Sequence, residues 1–164
     1  WSLRVAANTT RVVMDTPAGL HGQALADMIQ HCDVLVIPVI PSAIDIRAAT
    51  GFIRDVMLSH PYRLHPRPLA VVANRVRKNT LVYAKLERFL YSLKIPFLTS
   101  LRDTQLYVRA SEHGHGIVDL EDAKERDGAD WQPLLTWLDG TAHKLVAAND
   151  STDALSSAAT WQDS

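Results

Sequence analysis

The 164-residue chain predicts an α/β domain: a doubly wound, mostly parallel sheet with helices on both faces. Three observations carry that expectation. Short apolar runs alternate with longer amphipathic segments along most of the chain, the pattern of βαβ units. The runs "VVM", "VLVIPV" and "LAVVA" are continuously apolar, as strands buried on both faces require. Hydrophobic residues make up 47% and charged residues 21%, an ordinary globular composition with enough apolar side chains for one core.

Taken in order, Arg11–Thr16 reads as a strand, Leu20–His31 as a helix, and Asp33–Val39 as a second strand. Ser42 is placed to cap a long helix through "PSAIDIRAATGFIRDVMLSH", which stops before Pro61. "PLAVVANRV" is a third strand. Asn79 is placed to cap the next helix, on which Val82, Leu86, Phe89 and Leu93 fall on one face. "IPFLTSL" is a fourth strand, and "RDTQLYVRASEHG" a short helix ending near Gly114. "DWQPLLTWLDGTAHKLVAAN" gives the last helix, with Gly140 as a soft point. The ordered domain is expected over residues 1–148. The Ser, Thr, Ala and Asp composition of 149–164 suggests a disordered tail.

In an open parallel sheet, ligands sit beyond the carboxyl ends of the strands. Four clusters are therefore expected along one edge: Asp15–Gly19, Pro38–Ser42, Asn74–Lys78 and Leu101–Thr104. An aspartate at a strand tip with a glycine four residues later suits a metal and a terminal phosphate. Glycine lets its own N–H approach a phosphate closely.

Other signals are weaker. The single cysteine, Cys32, excludes an internal disulfide and suits a reducing compartment. The longest apolar run, Val34–Ile40, is too short to span a bilayer, and no secretion signal is evident. Net charge is −1, but its distribution is uneven. Arg75, Arg77, Lys78, Lys85, Arg88 and Lys94 form a basic stretch, and Glu112 to Asp130 an acidic one. A solvated helix face explains the basic stretch, and contact of Arg77, Lys78, Lys85 and Arg88 with DNA phosphates is the alternative. His113 and His115 lack a third ligand at metal spacing. Ser111, His113 and Asp119 lack the turn a hydrolase triad needs.

Four elements in sequence, "RVVMDTPAGL", "CDVLVIPVIPSAIDIRAA", "LAVVANRV" and "IPFLTSLRDTQLYVRASEHGHGIVDL", resemble the partition-type ATPases of the ParA/MinD kind. The resemblance spans roughly residues 11–147. It implies a deviant P-loop fold that dimerises around two ATP molecules and positions DNA, plasmids or other large cargo in the bacterial cytoplasm or on the nucleoid. It also implies a slow Mg²⁺-dependent hydrolysis stimulated by a partner protein. Asp15 would hold Mg²⁺ through a water. Thr16, Pro17 and Gly19 would form the γ-phosphate switch. Asn74 would contact adenine, its amide offering both donor and acceptor. Arg75 would flank the base or sit at the dimer surface, and Leu101–Thr104 resembles the loop that closes over the base, with Arg102 and Asp103 as contacts.

One departure stands out. The family's Gly-rich phosphate loop carries two lysines and grips phosphate with backbone amides. Here the seven glycines are scattered, and the lysines are Lys78, Lys85, Lys94, Lys124 and Lys144. No phosphate clamp is present, so this chain is expected to bind ATP weakly or not at all. Trp1 is not an initiator residue, and a first strand, phosphate loop and first helices are expected to precede it in a longer parent. Without them, exposed apolar edges should make the isolated chain prone to aggregation. A non-catalytic scaffold or regulator, or a metabolic ATP enzyme of the same superfamily, are the alternative functions.

Overall fold

The computed structural model describes residues 4–77, 80–92 and 94–159. Three strands form a parallel sheet in sequence order: β1 Leu35–Val39, β2 Leu69–Val76 and β3 Phe97–Arg102. Leu35 to Val39 pair in register with Leu69 to Ala73. Between them runs α2, Ala43–Leu58, and between β2 and β3 runs α4, Leu81–Ser92.

One face of the sheet carries the main core. Leu35, Ile37 and Val39 of β1 and Leu69, Val71 and Ala73 of β2 pack with Ile53 and Val56 of α2 and Leu86 and Leu90 of α4. Leu25 and Ile29 of α1, Gly22–Gln30, join them. The other face is closed over β2 and β3 by α7, Asp127–Ala159, through Val72, Leu101 and Leu134. The α/β class with helices on both faces of a parallel sheet is thus as the apolar runs predicted.

Several local features follow from the sequence. Ser42 caps α2, its hydroxyl oxygen accepting from the Asp45 N–H at 3.1 Å. Pro61 lies in the first turn of a separate short helix, α3, His60–Leu64, where its missing N–H breaks no bond. Thr80 does the capping expected of Asn79, accepting from the Tyr83 N–H at 3.2 Å; Asn79 and Leu93 lie outside the described residues. The buried seam of α4 is Leu86 and Leu90, flanked by half-buried Tyr83 and Phe89, while Val82 is exposed. The face is therefore rotated slightly from the predicted one. After β3 comes α5 Leu106–Glu112, the short helix expected to end near Gly114, then a 3₁₀ turn Ile117–Asp119 and α6 Glu121–Lys124, which have little periodicity to announce them.

Inside α7, Pro133 removes one backbone donor. The Thr99 hydroxyl donates to the nearby Asp130 carbonyl at 2.6 Å and ties the helix to β3. α7 continues to Ala159, past Asn149, where composition pointed to a tail. The alanines and leucine of 154–159 are good helix formers.

The expected first strand does not form. Residues 11–16 have no ladder partner, and Val13 is 93% exposed. An apolar, β-branched run becomes a strand only where another strand offers its backbone groups. Here Arg11 is instead held by Asp139 of α7 at 2.5 Å, while Met14 packs against the main core.

Candidate functional site

Because β1, β2 and β3 are parallel, their carboxyl ends share one rim. Three of the four predicted clusters stand there: Pro38–Ser42 after β1, Asn74–Arg77 ending β2, and Leu101–Thr104 ending β3. Lys78 lies outside the described residues.

The rim has an uncommon backbone. Ala73 pairs with Ser100 and Val76 with Arg102, so Asn74 and Arg75 together oppose Leu101. That is a β-bulge, and Arg75 takes φ +52°. The left-handed region suits glycine; arginine there is held by its surroundings. Two sets of contacts hold it. The Arg75 N–H donates to Asn74 Oδ1 at 2.9 Å. Asp103 receives Arg77 Nε at 2.9 Å and Nη2 at 2.8 Å, with Arg75 Nε at 3.5 Å. The hydrogen bond from Arg77 holds the Asp103 carboxyl below its ordinary range. Beyond the bulge, the Asp103 N–H donates to the Val76 carbonyl at 3.0 Å, resuming the ladder. Among the described residues, the Asn74 Nδ2 has no protein acceptor, so its amide can still donate to a ligand.

Arg102 is otherwise engaged. Its guanidinium forms a two-bond pair with Asp127, Nε to Oδ1 and Nη2 to Oδ2, the second at 2.7 Å. Asp127 is 1% exposed. Its carboxyl is held below its ordinary range, chiefly by the Arg102 hydrogen bonds. This pair joins the end of β3 to the first turn of α7, where a carboxylate also suits the helix dipole. No local pattern marked Asp127, because its partner is distant in sequence. Nearby, Trp131 Nε1 donates to the Tyr107 hydroxyl at 3.0 Å, and Tyr83 and Ser100 share a hydroxyl contact at 3.1 Å.

Asp15, Thr16, Pro17 and Gly19 precede α1. All four are exposed and lie outside helix and strand, with Gly19 at φ +74°. Their flanks have contacts of their own. Arg102 meets Asp127 and Thr99 meets Asp130, so α7 descends antiparallel to β3. Asp139, twelve residues beyond Asp127, is about 18 Å along that helix, level with the amino ends of the strands. That is where Arg11 is bound. On the other side, Gly22 lines a cavity of about 310 Å³ with Leu58, Ser59, His60 and Pro61. Leu58 and Ser59 end α2, at the end remote from Ser42, and His60 and Pro61 open α3. Arg11 and Gly22 thus have partners toward the amino ends of the strands, and the chain between them is long enough to reach the rim.

Of the basic residues, Lys85 and Arg88 are exposed on α4, whereas Arg77 is bound to Asp103. Among the described residues, no group of three His, Cys, Asp or Glu side chains is arranged to hold a metal ion. No helix of the described residues is long and apolar enough to cross a membrane. Cys32 is buried, and burial raises its thiol pKa, the behaviour of a small core residue.

The sequence is similar to that of a known bacterial protein. The chain is 29% identical over 121 residues to the maintenance of carboxysome distribution protein A of Halothiobacillus neapolitanus. The match covers 73% of this chain. The chain spans about half, 55%, of that relative's length. The two are distant homologues, which supports kinship with the ParA/MinD type and nothing narrower. No protein-family model matches the chain.

Proposed function

We propose that this chain is the larger part of a ParA-like positioning ATPase, an ATP-dependent dimer switch that distributes a large intracellular cargo in a bacterial cytoplasm. The observation that carries the proposal is the order of its motifs: the segments after β1, β2 and β3 meet at one rim. The distant relative, named for the distribution of carboxysomes, supports a positioning role and leaves the cargo of this chain open to test; plasmid or chromosomal DNA is one candidate.

Asn74 would read the base with its free amide donor, and Arg75 and Asp103 would border it. Arg102, tied to Asp127, would act indirectly by keeping α7 against β3. ATP supplies the phosphoryl group, and Mg²⁺ would neutralise charge on it. Asp15 would reach that metal, and Thr16, Pro17 and Gly19 would sense the γ-phosphate, with their segment closed against the rim. The phosphate clamp would come from chain outside these residues. A homodimer and a stimulating partner protein complete the cycle, and nonspecific DNA contact through Lys85 and Arg88 is a further element of it.

One observation favours a second function. With residues 11–16 paired to no strand and no Gly- and Lys-rich loop in the chain, the same sheet would serve as a non-catalytic scaffold or regulator. Mg²⁺-ATP hydrolysis by the product of the complete gene, measured beside its Asp15→Ala variant, separates the two. The switch predicts hydrolysis that the variant loses. Hydrolysis by neither protein supports the scaffold, and equal hydrolysis by both removes Asp15 from the mechanism.

A further inference from the structure

We propose that Asp103 is a positioning residue: by holding Arg75 and Arg77 it keeps the β2 bulge in the left-handed turn that presents the Asn74 amide at the rim. The proposal rests on Asn74 being the ligand-reading residue, but its geometry stands apart from that. Asn74 and Arg75 are the two residues that oppose Leu101 alone. Arg75 sits at φ +52°, a conformation that side chains other than glycine rarely adopt without support. Its N–H is the donor that orients Asn74, binding Oδ1 and so leaving Nδ2 as the free edge. If the 74–75 peptide flips, so that Arg75 relaxes to negative φ, that N–H turns away and the Asn74 amide loses its orientation.

Asp103 is suited to prevent this. It follows β3 directly, and its own N–H is fixed to the Val76 carbonyl on the far side of the bulge. Its two oxygens take different partners. Oδ2 faces Arg77 and Oδ1 faces Arg75. The carboxylate thus bridges residues on both sides of Val76, and a backbone flip at Arg75 would pull one guanidinium off it. Each contact is half in solvent and individually weak. Their value here is geometric, since they select between two backbone conformations close in energy. Glycine at position 75 would hold the same turn without help.

The test uses the complete gene product with Asp103→Asn, Arg75→Gly and the double variant Asp103→Asn with Arg75→Gly. Amide hydrogen exchange at residue 75 reads the Asn74 contact directly. Asp103→Asn should speed that exchange about threefold, the scale of lost exposed ion pairs, with little change at core amides such as Val71. Arg75→Gly in the same chain should restore slow exchange. Adenine-over-guanine nucleotide preference should fall in Asp103→Asn and return in the double variant. Unchanged exchange at residue 75 in Asp103→Asn, or no rescue by glycine, overturns the proposal. If the exchange pattern holds while no variant and no wild type prefers adenine, the positioning role stands and the nucleotide function fails instead.

Discussion

Replacing Arg102 by methionine should destabilise the fold more than replacing Asp127 by asparagine, although both break the same ion pair. The carboxylate is 1% exposed, whereas the guanidinium side chain is 28% exposed. In Arg102→Met the carboxylate stays occluded and loses two charge-assisted hydrogen bonds. Breaking a buried pair from that side costs about 3–5 kcal/mol. Partial solvent access around Arg102 places the expectation at the low end, about 3 kcal/mol. In Asp127→Asn the guanidinium keeps one acceptor and can turn to water, so about 1–2 kcal/mol is expected.

The pH dependence gives a second handle on the same pair. Asp127 has a lowered folded-state pKa. Its contribution is therefore present above the unfolded carboxylate value, about 3.9, and is lost as pH falls through the folded value. In Arg102→Met the sign inverts. The stranded carboxylate titrates above its unfolded value, so protonation favours the folded state. The gap between the variant and the wild type should narrow from about pH 7 to about pH 4.5. Urea unfolding followed by far-UV circular dichroism at both pH values reads this. Arg102→Met as mild as Asp127→Asn at neutral pH, with a gap that does not close on acidification, would refute the placement of Asp127 in a closed site.

Three further outcomes are expected. Leu86→Ala, at a fully buried position of the main core, should lower unfolding free energy by about 3 kcal/mol, while Leu81→Ala at an exposed position on the same helix should change it little. Ser42→Ala should cost about 1 kcal/mol by uncapping α2, read as a lower urea midpoint at an unchanged slope. If α4 contacts DNA phosphates, Lys85→Glu with Arg88→Glu should weaken gel retardation and reduce the salt slope by about 2; a wild type that shows no retardation at low salt removes DNA from the account.

Much of the fold was legible because buried parallel strands have a strong signature. Leu35–Val39 and Leu69–Ala73 are apolar runs of strand length, Phe97–Leu101 is a mostly apolar one, and each found a neighbour. Arg11–Thr16 has the same local signature and did not become a strand. Whether a run pairs depends on an adjacent free edge, which local sequence does not encode. The same gap bears on Asp15: its motif was visible, but the run before it pairs with no strand. The Arg102–Asp127 pair joins residues 25 apart, so no helical or strand spacing announces it. At Asn74–Arg75 the bulge arises from register against β3, and a left-handed arginine has no sequence mark. The Asn before it was legible as a turn or ligand residue, and it serves the turn through its Oδ1.

The central claim is that the Asp15 segment and the rim that Asn74 occupies close on one Mg²⁺-ATP. Spin labels at positions 18 and 104 of the complete gene product, measured by pulsed dipolar spectroscopy, test it directly. A shorter distance with Mg²⁺ and a non-hydrolysable ATP analogue than without them is the predicted result. The same distance in both states, under conditions where the analogue is shown to be bound, would contradict the claim.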